Sequence, residues 1–285
     1  MSSMSPMRAI RPLRLIALVT ASLLALGTQA VAATSSSTGT AVASPRPQIV
    51  ETTFSSVDAV VAGQWEFPQV SPAPLVVMIQ ATTGVDRHGL PPGYGDDPEI
   101  GIYDQLAKKL VAAGFAVFRF DQPGTGRSGR GNYATARSTA LEAYTRAIDH
   151  ARVDPTRVFL FSHSRGTDAI AGIYARYQEI NPVAGVMLLS NQVGETDIVR
   201  VACPALLLVT DKNPDDLYQF GQFPTQARQR SEASLETSLV TIPDAEQSLL
   251  TTIEEGDRHY YSIHPKAVEA ILEWLQARHA VVVSS

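Results

Sequence analysis

Strand-like and helix-like segments alternate almost strictly along this chain, and that order constrains its fold more than any other feature. Leu75 to Ile79 is a continuous apolar run, the signature of a strand covered on both faces. Phe115 to Phe120, Val158 to Phe161, Val183 to Leu189, Ala205 to Val209 and residues 238–242 read as further strands. Between them, helical spacing falls on Tyr103 to Ala113, on 136–150, on Gly166 to Tyr177 and on 214–230. Gly114 supplies a helix stop. Pro265 to Ala277 closes the series with Pro in its first turn. Residues 49–66 alternate as a hairpin would. This order predicts a mostly parallel sheet with helices on both faces. In such sheets the working residues lie just past the carboxyl ends of the strands.

Composition agrees with a packed domain. Of 285 residues, 45% are apolar and 18% charged, too apolar for disorder. The net charge of −5 gives no support to nucleic-acid binding. The N-terminus carries a different signal. Arg8, Arg11 and Arg14 precede the apolar run Leu15 to Leu26, and Ala30-Val31-Ala32 offers a small-residue cleavage site. That order predicts a secretory signal peptide over 1–33 and a periplasmic or secreted protein. Residues 34–47, rich in Ser, Thr, Ala and Pro, read as a flexible linker before a domain at 48–280. No membrane span is expected once the signal is removed. The lone Cys203 cannot form an internal disulfide and reads as a small core residue.

The segment Phe159-Leu160-Phe161-Ser162-His163-Ser164-Arg165-Gly166 is a strand running into a tight turn and then a helix. Small residues two before and two after Ser164 let such a turn close, and they present the hydroxyl clear of the sheet. Upstream, Asp121-Gln122-Pro123-Gly124-Thr125-Gly126-Arg127-Ser128 follows a strand, and Asp86-Arg87 follows the one before it. Together with Val61-Ala62-Gly63, Asp154-Pro155 and Trp274-Leu275, these segments resemble the α/β-hydrolase family. The likeness is to small exported bacterial members similar to prolyl-oligopeptidase-like esterases and peptidases, and it runs from about Val61 to Leu275. It implies an α/β-hydrolase fold, here without a large cap, because only Asn191 to Cys203 joins two strands where relatives insert one.

The resemblance also implies a catalytic set. Ser164 would be the nucleophile, with backbone N–H groups of Thr82 and Arg165 as oxyanion donors. The aligned acid position holds Asn213 and the aligned base position holds Gln247. Glutamine cannot accept a proton near neutral pH. Replacements within reach along the chain are His264 or His259 as base and Asp211 or Asp215 as acid. The expected activity is hydrolysis of carboxylic esters or related acyl groups, from a small-molecule or polymeric substrate, with no metal or organic cofactor. The alternative is a non-catalytic or repurposed protein that binds a ligand or partner, or carries out non-hydrolytic acyl or cyclising chemistry.

Overall fold

The computed structural model describes residues 47–57, 59–80, 85–89, 101–131, 135–231, 235–255 and 258–283. The signal and most of the linker expected at 1–47 therefore lie outside the described residues. Among the described residues the strands, in chain order, are β1 (Gln48–Ser56), β2 (Ala59–Phe67), β3 (Ala73–Ile79), β4 (Ala116–Phe120), β5 (Val153–His163), β6 (Gly185–Leu189), β7 (Ala205–Thr210), β8 (Thr237–Ile242), β9 (Leu250–Glu255) and β10 (Arg258–Ile263). The helices are α1 (Ile102–Ala112), α2 (Ala136–Ile148), α3 (Gly166–Ala171), α4 (Tyr174–Ile180), α5 (Glu195–Ile198), α6 (Pro214–Leu217), α7 (Phe223–Arg230) and α8 (Pro265–Val283). A π-helical turn, Tyr218–Gln222, joins α6 to α7.

The main sheet runs β1-β2-β4-β3-β5-β6-β7-β8. The pairs β1/β2 and β2/β4 are antiparallel, and every later pair is parallel. Alternate residues of each central strand feed two separate cores. Leu75, Val77 and Ile79 of β3 point to the side covered by α2, α3 and α4, among Ala140, Tyr144 and Tyr177. Val76 and Met78 point to the side covered by α1 and α8, among Leu106, Leu110, Ile271 and Trp274. Both faces of these strands are dry, which is why they read as unbroken apolar runs. Cys203 sits in the first core, and burial pushes its thiol up to about 11.

Three expected elements differ in detail. The helix expected over Gly166 to Tyr177 is broken into α3 and α4 at Gly172-Ile173. The helix expected at 214–230 is interrupted by the π-helical turn. Leu249 to His264, expected only as a segment able to fold back, holds the β9–β10 hairpin, and Gln105 Nε2 donates to the Tyr261 carbonyl at 3.1 Å. The hairpin thus packs on α1. The Asn191–Cys203 connection contains only the four-residue α5, so no cap is built there.

One buried polar cluster stands at the β2/β4 side of the sheet. Arg119 of β4, 1% exposed, is paired with both Glu66 of β2 and Asp104 of α1. His88 Nδ1 lies 3.0 Å from the same Asp104 carboxylate. Arg87, 2% exposed, is paired with Glu51 at 2.9 Å. Charges this deep are tolerated because each has an opposite partner.

Candidate active site

β5 ends in the turn that carries Ser164. Its φ of 52° lies in the left-handed region, uncommon for a residue with a Cβ. The conformation is held from several sides. Ser164 N donates to the Leu189 carbonyl at the end of β6 (2.8 Å), and the Ser164 carbonyl accepts from Thr167 N (3.0 Å) and Thr167 Oγ1 (2.6 Å). Gly166 is required by crowding. A Cβ there would sit 2.2 Å from the Gln80 carbonyl oxygen and 2.5 Å from Ser162 Oγ. Ser162, where the usual pattern has glycine, is fully buried and donates to the Ile79 carbonyl (3.1 Å), so its hydroxyl is satisfied. Arg165 precedes α3, where backbone N–H groups have no helical partner of their own. Thr82, the other expected oxyanion donor, lies outside the described residues.

The hydroxyl itself meets an unexpected neighbour. Gln192 Nε2 donates to Ser164 Oγ at 3.3 Å. The turn that delivers Gln192 is built after β6. Ser190 takes a φ of 52°, and its Oγ donates to the Gln247 carbonyl at 2.6 Å. Asn191, 3% exposed, accepts from Val193 N (3.0 Å) and donates to the Phe220 carbonyl (2.7 Å). Gln192 N then donates to Thr167 Oγ1 at 3.3 Å. Sequence reading missed Gln192, although it follows a parallel strand at its carboxyl end, where site residues gather. An amide carries no catalytic signature.

The expected acid and base candidates show no hydrogen bond to Ser164 Oγ among the described residues, and each has its own place in the fold. Asn213 caps α6, its Oδ1 accepting from Asp215 N at 3.0 Å and its Nδ2 donating to Asp216 Oδ2 at 3.0 Å. Asp215 is an exposed first-turn residue of that helix. Asp211 Oδ1 accepts from Asp244 N (2.9 Å), tying the ends of β7 and β8 together. The Gln247 side chain is exposed, and it lines a shallow cleft with Ser190, Asn191, Thr210, Asp216 and Phe220. His264 stands at the start of α8, where its Nδ1 accepts from Lys266 N at 3.3 Å. His259 pairs with Glu254 across the β9–β10 hairpin, and its side chain lies outside the described residues.

His163 is next to the nucleophile in sequence but faces away from it. It is 3% exposed, with Nε2 2.8 Å from the Ser248 carbonyl and Nδ1 3.1 Å from Tyr103 Oη. A carbonyl only accepts, so Nε2 carries the proton and Nδ1 accepts from the tyrosine. Burial lowers its pKa to about 4, and it stays neutral at ordinary pH. It buttresses the elbow from below. Among the described residues no group of three His, Cys, Asp or Glu side chains could hold a metal ion, and no helix is long and apolar enough to cross a membrane.

This architecture is shared with known proteins. A family model described as serine aminopeptidase, S33, matches residues 92–233. No curated protein matches the sequence. Among solved structures, a dienelactone hydrolase from Anabaena variabilis is similar at 19% identity and a TM-score of 0.55, over 82% of this chain and 97% of that one. Est1E from Butyrivibrio proteoclasticus, solved with ferulic acid bound, is similar at 13% identity and 0.56, over 82% and 100%. A thermostable carboxyl esterase from Bacillus coagulans is similar at 13% identity and 0.55, over 80% and 98%. At such identities these likenesses speak for the fold. With the sheet order, the elbow at Ser164 and the family model matched over 92–233, they show the α/β-hydrolase fold and support an α/β-hydrolase family for this chain.

Proposed function

We propose that the protein is an exported serine hydrolase acting on carboxylic esters or related acyl groups through Ser164. The observation that carries this reading is the left-handed Ser164 at the end of β5, clamped by Leu189 and Thr167. A non-glycine residue there costs about 1–3 kcal/mol, and such strain clusters where a side chain must be presented. The dienelactone hydrolase and esterase neighbours support the reaction class, and the N-terminal Arg8 to Ala32 pattern supports export. In the proposed reaction Ser164 Oγ attacks the acyl carbon and the alcohol leaves. The Arg165 N–H stabilises the oxyanion, and water then releases the acid. The short Asn191–Cys203 connection builds no cap there, which suits a bulky substrate.

No described histidine hydrogen-bonds to Ser164 Oγ. General-base assistance is worth about 10²–10⁴-fold, so turnover is expected to be slower than a full triad would give by about that factor. The test is steady-state hydrolysis of p-nitrophenyl acetate by the purified protein beside Ser164→Ala. Turnover that disappears with Ser164→Ala supports the reading. Equal rates from the two proteins overturn it.

One observation favours a second reading. Gln192 Nε2 donates to Ser164 Oγ, and the aligned acid and base positions are held by Asn213 and Gln247. On this reading the cleft is a binding site for an acyl-bearing ligand, or a site for acyl chemistry without hydrolysis. Saturable ligand binding with no product formed is its expected result.

A further inference from the structure

The geometry points to Gln192 as the positioning residue of Ser164, standing in the place from which a base would act on the hydroxyl. This rests on Ser164 being the reactive group. Three contacts make a closed ring. Gln192 Nε2 donates to Ser164 Oγ (3.3 Å), Gln192 N donates to Thr167 Oγ1 (3.3 Å), and Thr167 Oγ1 donates to the Ser164 carbonyl (2.6 Å). The ring fixes Gln192 by its backbone and by its side chain. The buried Asn191, bonded to Val193 and Phe220, locks the turn beneath it.

The chemistry of the amide sets the consequence. A carboxamide engages a hydroxyl through hydrogen bonds but does not take its proton at ordinary pH. With Nε2 donating, Oγ is the acceptor, so the Ser164 O–H bond is directed away from Gln192. The residue therefore orients the nucleophile without activating it. In histidine, Nε2 is separated from Cβ by the same number of bonds as in glutamine. An imidazole at position 192 would bring a proton acceptor to the place now held by the amide nitrogen.

The experiment is the second-order rate of Ser164 labelling by a fluorophosphonate, measured from pH 5 to pH 9 on the purified protein. Gln192→His and Gln192→Leu are compared with wild type, with Ser164→Ala as blank. Gln192→His is expected to label about 10²-fold faster or more at the alkaline end. Its rate should rise through a midpoint near the ordinary histidine value of about 6.5, a limb that wild type lacks. Gln192→Leu, which removes the contact, is expected to label about three- to tenfold more slowly, as for loss of one ordinary hydrogen bond. A Gln192→His protein with wild-type thermal stability, labelling at the wild-type rate at every pH, overturns the inference. If that variant does not fold, Gln192→Leu decides, and a rate equal to wild type overturns it. The two readings separate cleanly. A protein that turns over no ester but gains the pH limb in Gln192→His refutes the hydrolase reading and upholds the role of Gln192.

Discussion

The loop after β4 and the loops after β7 and β8 leave the same edge of the sheet, yet they use their side chains in opposite ways. After β4, every landmark of the Asp121–Ser128 segment is bonded into the fold. Asp121 accepts from Arg87 N through one oxygen and from Arg127 N through the other, both at 2.8 Å. Ser128 Oγ donates to the Asp121 carbonyl (2.7 Å) and accepts from Ala62 N (3.0 Å). Gly126 has a φ of 48°, and a Cβ there would lie 2.5 Å from the Asp121 carboxyl group. After β7 and β8, the positions aligned with acid and base hold amides. Asn213 serves as a helix cap, and Gln247 contributes its backbone carbonyl to Ser190. In the first region the Asp121 and Ser128 side chains are each tied to backbone groups of neighbouring segments. In the second, the Asn213 side chain serves only its own helix end, and Gln247 is tied in through its backbone rather than its side chain.

The comparison can be broken at its structural end first. Arg119→Ala would leave Glu66 and Asp104 buried without their cation. Removing one partner of such a pair costs about 3–5 kcal/mol, so a urea unfolding curve should shift by that much, with aggregation during expression as the extreme form. A loss below about 1 kcal/mol would show that the cluster is wetter than its burial indicates.

Acid should act next, through the elbow. His163 stays neutral in the folded protein down to about pH 4, whereas the unfolded chain binds a proton near pH 6.5. The unfolded state therefore holds more protons between those values, and stability falls as pH is lowered through that window. The total is about 3 kcal/mol, complete above pH 6.5 and lost near pH 4. His150, whose pKa burial and the nearby Arg152 and Arg146 also lower, adds in the same direction. In urea titrations at several pH values, His163→Asn should flatten most of the slope. An unchanged slope would assign it to other groups.

The contrast sharpens at the site end. Asn213→Ala is expected to cost about 1 kcal/mol as a lost helix cap and to leave Ser164 labelling unchanged. A labelling rate that moved with it would give Asn213 a part in the chemistry. The smallest effect is expected for Gln247→Ala. Its side chain is exposed and its carbonyl survives the substitution, so stability should stay within about 0.5 kcal/mol and ester turnover should not change. A clear drop in turnover would return Gln247 to the reactive centre.

Much of this molecule was legible in the linear order of residues. Apolar runs such as Leu75 to Ile79 and Val158 to Phe161 announced doubly covered strands, because burial on both faces demands apolar residues at every position. Ser164 was legible because its turn needs small neighbours within two residues, a local requirement. The split of the 166–180 helix at Gly172-Ile173 and the β9–β10 hairpin were not read. Their signals are short, and packing against the rest of the fold settles them.

What only the tertiary structure decided is which loops meet at Ser164. Glutamine at 192 is unremarkable in sequence. It reaches the hydroxyl because β5 and β6 pair in parallel with Ser162 opposite Leu188, and because Ser190 and Asn191 turn the chain back toward the elbow. His264 and Asp211 looked available on reach along the chain, but they are engaged with the start of α8 and the end of β8. Local patterns record which face of an element is buried and how a turn closes. Contact between residues 28 positions apart depends on strand order and register, and those emerge only when the whole sheet is packed.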